Sequence, residues 1–520
     1  MDKHFYQYLS TLSIFIFSAA VALGQKTTNV ILENAESLVF DKSQSAERQV
    51  LKDNVRFRHE GAIMYCDSAY FYADKNSLDA FGRIKMVQGD TLFVYADALY
   101  YDGNVRTAYL RRNVRMVNRD VTLTTDSLNY DRNANVGYYF GGGQIKDPKN
   151  LLVSRRGYYY PAKKEAIFRK NVKLTNTDSL EIRSDTLKYN TQTKIAYLLG
   201  KSEIENKDGQ IFSELGSYNT ETQYSSLFKH SLVKNKDGKS LAADTIYYDK
   251  QRGLGRVFGN AEIRDSVQKM ILRGNKGYYN EFLEEAMMTR QAVAVEYSAA
   301  GADSLFLHAD TLFHKKDSTY SLFQAFRHVR FFRSDVQGKC DSLVYSTRDS
   351  LLTMYAEPVL WSDSSQLTGN LIQAFIRDSV IDYIYVKENA MAVMRDADST
   401  RFNQLIGKNI KGFINGKELY KIDVSGNAQS IYFLYENDGS PIGVNKTESS
   451  FMTVYLKNNK VDKVSIYPSP SGKMLPDENL VREDIFFPTF VWHDAIRPKK
   501  YEDIFLKIEP NIKEERQRKK

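Results

Sequence analysis

The chain has 520 residues, of which 35 are Tyr and only 10 are Pro. With 42% hydrophobic and 26% charged residues it is neither disordered nor collagen-like, because enough apolar surface is present to offset the entropy of folding. A net charge of +8 from 72 basic and 64 acidic side chains is too mild for a dedicated nucleic-acid-binding protein, so no nucleic-acid partner is expected.

The N-terminus predicts export. Lys3 precedes an apolar run from Leu9 to Leu23, and small residues at 22 and 24 suit a signal peptidase, so we expect residues 1–24 to be a signal peptide cleaved after Gly24. An uncleaved anchor is the alternative, although the run is shorter than the ~20 residues that span a bilayer.

From residue 25 onward the chain repeats. An aspartate, a small residue, an aliphatic residue and an aromatic residue recur in "ADALYYD", "TTDSLNYD", "RSDTLKYN" and "AADTIYYD". The aromatic slot falls at positions 71, 101, 130, 159, 189, 218, 248 and 279, so successive copies are 29 to 31 residues apart. A second motif, a Gly or Asn beside a β-branched residue, lies between these copies. Both motifs alternate apolar and polar residues, which predicts short strands separated by turns.

The alternation slips at each aspartate of the first motif. Leu92 and Val94 occupy even positions, whereas Leu99 and Tyr101 occupy odd ones. Keeping both halves apolar on one face requires an extra residue at the Asp-Ser/Thr step, that is, a bulge or corner. These aspartates are therefore interpreted as structural, and stacked, cornered units predict an all-β fold: an elongated, twisted β-jellyroll or solenoid of ~30-residue repeats.

The two cysteines, Cys66 and Cys340, lie nine repeats apart. At ~4.8 Å per strand this separation exceeds the ~7 Å that a disulfide allows, so no intramolecular bridge is expected.

The repeats resemble the OstA/LptA family of periplasmic lipopolysaccharide-transport proteins. The resemblance implies a β-jellyroll that shields the acyl chains of lipopolysaccharide (lipid A) in a non-enzymatic transport role in outer-membrane assembly. It also implies a periplasmic location, with a possible outer-membrane association, and partners among other lipopolysaccharide-transport proteins. These partners would dock on the terminal strand edges, and head-to-tail self-association is a further expectation.

An apolar trough is the predicted binding site. Its candidate lining residues share the inward-facing positions of the first motif: Leu99, Tyr101, Leu128, Tyr130, Leu187, Tyr189, Ile246 and Tyr248. A closed, self-filled core is the alternative interpretation of the same residues, and the pattern leaves both open.

A basic ladder is predicted on the opposite face. Its candidates follow the β-branched residue of the second motif: Arg56, Lys85, Arg115, Lys146, Lys173 and Arg264. They could meet phosphates or acidic sugars of a glycolipid, whereas a solvated face with intermittent charge is the more ordinary interpretation.

The sequence contains no sign of catalysis. The closest histidine set, His308, Asp310 and His314, occupies repeat positions, so no metal, cofactor or catalytic residue is expected. Two rival classes stay open: an exported β-helical protein that binds or degrades polysaccharide, and a structural scaffold of the envelope.

The predicted organisation follows chain order. Repeats occupy 25–285, a diverged continuation 286–400, a C-terminal β-rich section 401–480, and a charged, mobile tail 481–520.

Overall fold

The structure is a computed structural model that describes residues 28–40, 48–297, 303–377, 380–396, 400–416, 418–436, 438–457 and 460–506. Two compact units are present. The N-terminal unit comprises the described residues up to Pro148 together with Arg156–Lys163, and the C-terminal unit comprises Lys149–Arg155 and the described residues from Lys164 onward. The predicted signal peptide lies outside the described residues.

Nearly all of the described chain is β-strand. The first twelve strands are β1 (Ile31–Asn34), β2 (Ser37–Phe40), β3 (Gln49–His59), β4 (Ala62–Tyr72), β5 (Ser77–Gln88), β6 (Leu92–Asp102), β7 (Thr107–Asn118), β8 (Val121–Asp131), β9 (Val136–Tyr139), β10 (Gly143–Lys146), β11 (Asn150–Ser154) and β12 (Arg156–Tyr160). All except β11 belong to the N-terminal unit.

The C-terminal unit continues the pattern. Its remaining strands are β13 (Glu165–Asn176), β14 (Glu181–Asn190), β15 (Ile195–Leu198), β16 (Ser202–Glu205), β17 (Gly209–Ser213), β18 (Leu215–Asn219), β19 (Tyr224–Asn235), β20 (Lys239–Asp249), β21 (Leu254–Asp265), β22 (Met270–Asn280), β23 (Glu285–Glu296), β24 (Leu305–Lys316), β25 (Ser321–Arg333), β26 (Val336–Ser346), β27 (Leu351–Tyr355), β28 (Val359–Ser362), β29 (Ser365–Thr368), β30 (Leu371–Arg377), β31 (Val380–Arg395), β32 (Phe402–Asn415), β33 (Glu418–Tyr435), β34 (Pro441–Lys457), β35 (Lys460–Tyr467) and β36 (Ser471–Pro476).

Helical structure is confined to short turns: α1 (Arg482–Ile485) and 3-10 turns at Pro161–Lys163, Asp494–Ile496 and Tyr501–Phe505. Within the described residues, no helix has the length and apolarity needed to cross a membrane. Each long strand pairs antiparallel with the next along the chain, as β5 does with β6 and β6 with β7. The predicted all-β class is confirmed, although most repeats are two long strands rather than several short ones.

A bulge lies at each predicted corner, but the inserted residue is in the facing strand. Between β5 and β6, Phe81 pairs with Ala98 and Ile84 with Ala96, so that two residues of β5, Gly82 and Arg83, face Asp97 alone. Both have positive φ, at 75° and 41°. The second sequence motif is therefore the bulge itself, because Gly and Asn tolerate this backbone region best.

The carboxylates of the first motif bind the bulges. Asn113, with a φ of 53° in β7, donates from Nδ2 to Asp97 Oδ2 at 2.7 Å, and Arg83 donates from Nε to Asp67 Oδ1 at 2.9 Å. These contacts agree with the structural role predicted for the aspartates.

The corners divide each unit into two walls whose inner faces pack together. The first wall contains 55–59, 92–96 and the equivalent positions of later repeats. The second wall contains 77–81, 98–102 and the equivalent positions of later repeats. In the C-terminal unit, a Cβ atom added to Gly255 of the second wall would lie 2.4 Å from Leu241 Cδ1 of the first wall. The two walls are thus in van der Waals contact there.

The tyrosine slot forms an inner row of the second wall, which we call the tyrosine row. In the N-terminal unit, Tyr101 pairs with Leu78 and Ala108, and Tyr130 pairs with Ala108 and Gly137. Large rings therefore mostly alternate with small residues from strand to strand, which lets them interdigitate. This alternation explains why Tyr recurs once per two strands, every ~30 residues.

The C-terminal segment differs from the predicted mobile tail. Residues 481–506 pack on the C-terminal unit: Phe487 joins an apolar cluster with Val393 and Ile431, and Ile504 joins another with Val293. The segment is also held by buried polar side chains, since Gln404 exchanges two hydrogen bonds with its backbone. Residues 507–520 lie outside the described residues.

Candidate functional site

The predicted lipid-lining residues all lie on the inner faces and are buried. None of the eight exceeds 9% exposure, the value for Tyr248: Leu99, Tyr101, Leu128, Tyr130, Leu187, Tyr189, Ile246 and Tyr248. The structure thus brings them into the interior between the walls, as the alternation predicts. Their binding of lipid stays a prediction.

In the N-terminal unit, tyrosine hydroxyls link the two walls. We call the edge of each wall that lies at the turns between strands its rim, and the line along which the two rims meet the seam. Tyr101, near the rim of the second wall, lies with its hydroxyl 2.7 Å from Nδ1 of His59, at the rim of the first wall. Arg132 donates to the same hydroxyl at 2.7 Å, and Arg106 forms an ion pair with Glu60 across the seam. Burial lowers the pKa of His59, so the ring is neutral at pH 7.

Two further rings in this unit make the same kind of contact. The Tyr130 hydroxyl lies 3.1 Å from Gln88 Oε1, and Asn118 Nδ2 donates to the Tyr159 hydroxyl at 3.1 Å. Burial raises the pKa of Tyr130 to about 12. We call each such tyrosine a rung, because it links the second wall to the rim of the first.

In the C-terminal unit, the first tyrosine of the row forms a rung, whereas a later tyrosine has a different hydrogen-bond partner. Asn150 Nδ2 donates to the Tyr189 hydroxyl at 2.8 Å, which repeats the arrangement of the N-terminal unit. Further along, the hydroxyl of Tyr248 bonds instead to Glu281, in the next hairpin of its own wall, at 3.2 Å. The hydrogen bond of Tyr248 therefore stays within the second wall instead of crossing the seam.

A cavity lies at this altered part of the seam. It is small, with a volume of about 40 Å³, and is partly open to solvent. Its walls are mainly apolar, from Val233, Leu241, Ile263 and Leu272, and polar groups lie around it. We call this the seam cavity.

His314 occupies the tyrosine row beside the seam cavity. It pairs with Ala286 of β23, is 8% exposed, and has Nε2 2.9 Å from Ser321 Oγ. Burial lowers the pKa of His314 to about 4, so the ring is neutral at pH 7. Lys239, from the rim of the first wall, lies 3.7 Å from Glu284, with its ammonium 5.5 Å from the ring centroid of Tyr279.

The basic ladder is exposed or half-buried, but only three members form one row. Arg56, Lys85 and Arg115 alternate with Tyr65 and Tyr95 across β3 to β7. Arg115 lies 4.6 Å from the ring centroid of Tyr95, and Arg56 pairs with Glu33 at 2.7 Å.

The other ladder residues lie elsewhere. Lys173 pairs with Glu181 at 2.9 Å, Arg264 pairs with Glu262 at 2.8 Å, and Lys146 is exposed. Most of the predicted cations therefore already have a carboxylate or aromatic partner within the protein. Phosphate or sugar binding by the ladder stays a prediction.

The three candidate metal ligands make separate contacts. His308 Nδ1 lies 2.8 Å from the backbone oxygen of Ala292, and Asp310 lies 2.9 Å from Nδ1 of His328. Across the part of the chain that the structure describes, no group of three His, Cys, Asp or Glu side chains is placed to hold a metal ion. Cys66 and Cys340 carry free, buried thiols, and burial raises the pKa of each to about 12.

The rim partners of the rungs are the residues that sequence reasoning missed. His59, Gln88 and Asn118 each end a strand of the first wall and are spaced 29 and 30 residues apart. This polar residue before each turn shares the period of the tyrosine slot. A search for period-30 polar positions could have found it.

One comparison with known proteins agrees with the resemblance. Residues 27–185 match the family model for OstA-like protein. The crystal structure of LptH from Pseudomonas aeruginosa, described as the LptA-homologous periplasmic component of the conserved lipopolysaccharide transport device, matches with 16% identity and a TM-score of 0.22. That match covers 27% of this chain and 97% of LptH. No curated protein matches the chain.

Proposed function

We propose that this chain, whose N-terminal part is an OstA-like region, is a periplasmic protein that binds the acyl chains of lipopolysaccharide between its two walls during outer-membrane assembly. The observation that carries the proposal is the inner surface: in both units it is mainly apolar, with aliphatic side chains and tyrosine rings at the positions that the repeats predict. Such a surface offers about 25 cal/mol per Å² of buried apolar area without any catalytic group.

The proposed partners follow from the sheet edges. β1 and β2 pair on one side with β3, and β36 pairs with β34. Other lipopolysaccharide-transport proteins, or a second copy joined head to tail, would add strands at such edges. An outer-membrane association would come through such a partner.

Site-specific photo-crosslinking tests acyl-chain binding. A diazirine analogue of leucine at position 128 or 187 should crosslink to added lipopolysaccharide, because both side chains point into the interior. The same group at Asn129 or Lys188, the neighbours on the outer face, should not crosslink. Equal labelling at inner and outer positions would contradict binding between the walls.

The cellular role has its own experiment. Depleting the protein and following newly made lipopolysaccharide should show a delay in its arrival at the cell surface. Unchanged delivery would remove the transport role, although binding measured with the purified protein would stand.

A second candidate, polysaccharide binding, is favoured by an outer aromatic row on the second wall of the N-terminal unit. Five tyrosines lie in this row, together with Asp79 and Asn129: Tyr70, Tyr100, Tyr109, Tyr138 and Tyr158. Tyr100 is 41% exposed, and a guanidinium lies near two of the rings. Replacing Tyr100 and Tyr109 by Ser should abolish retention on an immobilised glycan if this candidate holds, and unchanged retention would exclude it.

A further inference from the structure

In the C-terminal unit, the C-terminal segment covers part of the outer face of the first wall. Four apolar side chains lie side by side there across β22 to β25, and we call them the covered row: Ile271, Val295, Phe306 and Phe332. Tyr501 lies on this row, with its ring centroid 4.6 Å from that of Phe306. Ile504 packs on Ile271 and Val295. One short turn of the segment therefore supplies both the aromatic ring and the aliphatic side chain that cover the row.

A buried arginine beside the covered row binds the backbone of the same segment. Arg330 is 6% exposed and donates from Nη1 to the backbone oxygen of Leu506 at 2.8 Å. It also donates to the backbone oxygens of Asp503, at 3.4 Å, and Ile496. A guanidinium can make several such bonds at once because its donors form a fixed fork. The covered row and Arg330 thus act together as a binding surface for a peptide segment.

The N-terminal unit repeats this surface. Four side chains on the outer face of its first wall lie side by side across β4 to β7, and we call them the open row: Ile63, Val87, Phe93 and Val117. In both rows each residue lies four positions from the bulge or corner of its strand, so the rows are equivalent. The first three residues are identical in the two rows, and the fourth is Val instead of Phe. Arg115 is the equivalent of Arg330, because each follows the second bulge residue of its strand by two positions.

The open row is accessible to a partner. Its four side chains are each partly exposed, whereas Ile271 and Val295 of the covered row are both 5% exposed. Arg115 is exposed too, with its guanidinium 4.6 Å from the ring centroid of Tyr95. The N-terminal unit therefore presents to solvent the set of side chains that the C-terminal unit uses to bind a segment.

The charge beside the open row indicates which segment would fit. Arg56, Lys85 and Arg115 lie along it, and Glu33 pairs with Arg56 at 2.7 Å. Within the described residues, Lys85 and Arg115 contact aromatic rings and have no carboxylate partner. Beside the covered row, Val293 stands at the position equivalent to Lys85. The open row therefore favours a segment that carries carboxylates next to its apolar side chains.

We propose that the outer face of β4–β7 is a docking surface for a partner protein, which binds there through a turn of aromatic, aliphatic and acidic residues like Tyr501–Leu506. The apolar side chains of the turn lie on the open row, its backbone oxygens accept from Arg115, and its carboxylates face Lys85 and Arg56. The partner is a different protein, because in a second copy this segment already lies on its own covered row. This contact goes beyond the lipid binding proposed for the interior, since it lies on the outside of the wall.

The probe is a peptide with the sequence Tyr501–Leu506, with both ends blocked and a benzophenone in place of the Phe505 ring. On the full chain it should photolabel β4–β7, as mapped by mass spectrometry. Phe93→Thr should reduce labelling about tenfold, because Phe93 is the equivalent of the ring that Tyr501 contacts. Phe212→Thr is the matched control and should leave labelling unchanged. Phe212 is also partly exposed on the outer face, with a lysine ammonium 5.9 Å from its ring centroid, but it lies outside the open row.

Charge is tested on both sides of the contact. Arg115→Ala should weaken labelling several-fold and leave the circular dichroism melting curve unchanged, because the side chain is exposed. A peptide with Lys at both acidic positions should label about tenfold less than the original. Equal labelling by the two peptides would overturn the acidic preference. A loss of labelling in Arg115→Ala but not in Phe93→Thr would indicate a plain anion site and overturn the docking surface.

The place of labelling and the oligomeric state identify the occupant. Labelling confined to β22–β25 would mean that the probe exchanges with the chain's own segment, and it would overturn the open row as the site. A dimer in analytical ultracentrifugation that Phe93→Thr dissociates would identify a second copy as the occupant and overturn the foreign partner. These results do not depend on lipopolysaccharide crosslinking at positions 128 and 187, so either proposal can fail while the other stands.

Discussion

At the scale of single residues, the tyrosine rungs predict a stability difference between inner and outer tyrosines. Tyr130→Phe removes a hydroxyl that lies 2.8 Å from Asn135 Oδ1 and 3.1 Å from Gln88 Oε1 in the interior. We expect the free energy of unfolding to fall by about 1–2 kcal/mol in urea denaturation. Tyr109→Phe, on the outer face and 39% exposed, is the control and should change it little. Equal losses of unfolding free energy in the two variants would show that the Tyr130 hydroxyl does not stabilise the link between the walls.

His314 predicts acid sensitivity. Its pKa is about 4 in the folded protein against an ordinary value of 6.5, because burial and the nearby Lys239 and Lys316 disfavour the charged ring more than Asp265 and Glu284 favour it. Below pH 6.5 the unfolded chain therefore binds a proton that the folded one does not. Stability is retained above this pH and falls as pH decreases towards 4, by up to about 3 kcal/mol in total.

The measurement is urea denaturation of wild type and His314→Phe at pH 7.5 and 5.0. The variant should lose about 2 kcal/mol less than wild type over this interval, since the other buried histidines titrate in both proteins. Parallel losses in the two proteins would show that His314 does not carry the effect.

At the scale of elements, the corner predicts a contrast between two glycines. Gly82 and Gly89 both have positive φ, at 75° and 61°, so Ala costs about 1 kcal/mol of backbone strain at either. At Gly82 the added Cβ would also lie 2.5 Å from Asp67 Oδ2, whereas at Gly89 nothing lies within 4 Å. Gly82→Ala should therefore lower the thermal midpoint more than Gly89→Ala. Equal shifts would mean that the Asp67 contact does not fix the corner.

Some features of the strands could be predicted from the sequence and others could not. The period, the inner position of Tyr101 and Tyr130, and the place of the corners were predictable, because strict alternation of faces leaves few choices. The strand that holds the inserted residue was not predictable, because a bulge in either of the two paired strands explains the phase slip at Asp97 equally well.

The C-terminal segment and the site show where periodicity stops being informative. Phe487 and Ile504 lie in a stretch without strand or helix period, so nothing in the sequence indicated that it packs on the sheet. The seam cavity was also hidden, because Tyr248 and Tyr279 match the same motif as the rungs. Their different hydrogen bonds depend on rim residues, such as Lys239 and Glu281, that lie outside the motif.

At the scale of the whole molecule, repeats that contact mainly their neighbours predict that damage stays local. Leu128 and Ile246 occupy equivalent, fully buried positions in the two units, and truncating either to Ala should cost about 2–5 kcal/mol. In hydrogen-exchange mass spectrometry, Leu128→Ala should speed exchange in β7–β9 while leaving β20–β22 at wild-type rates. Ile246→Ala should do the reverse, because the two side chains lie in the cores of different compact units. If both variants speed exchange equally in both units, the chain unfolds as one cooperative body and the division into two units has no energetic meaning.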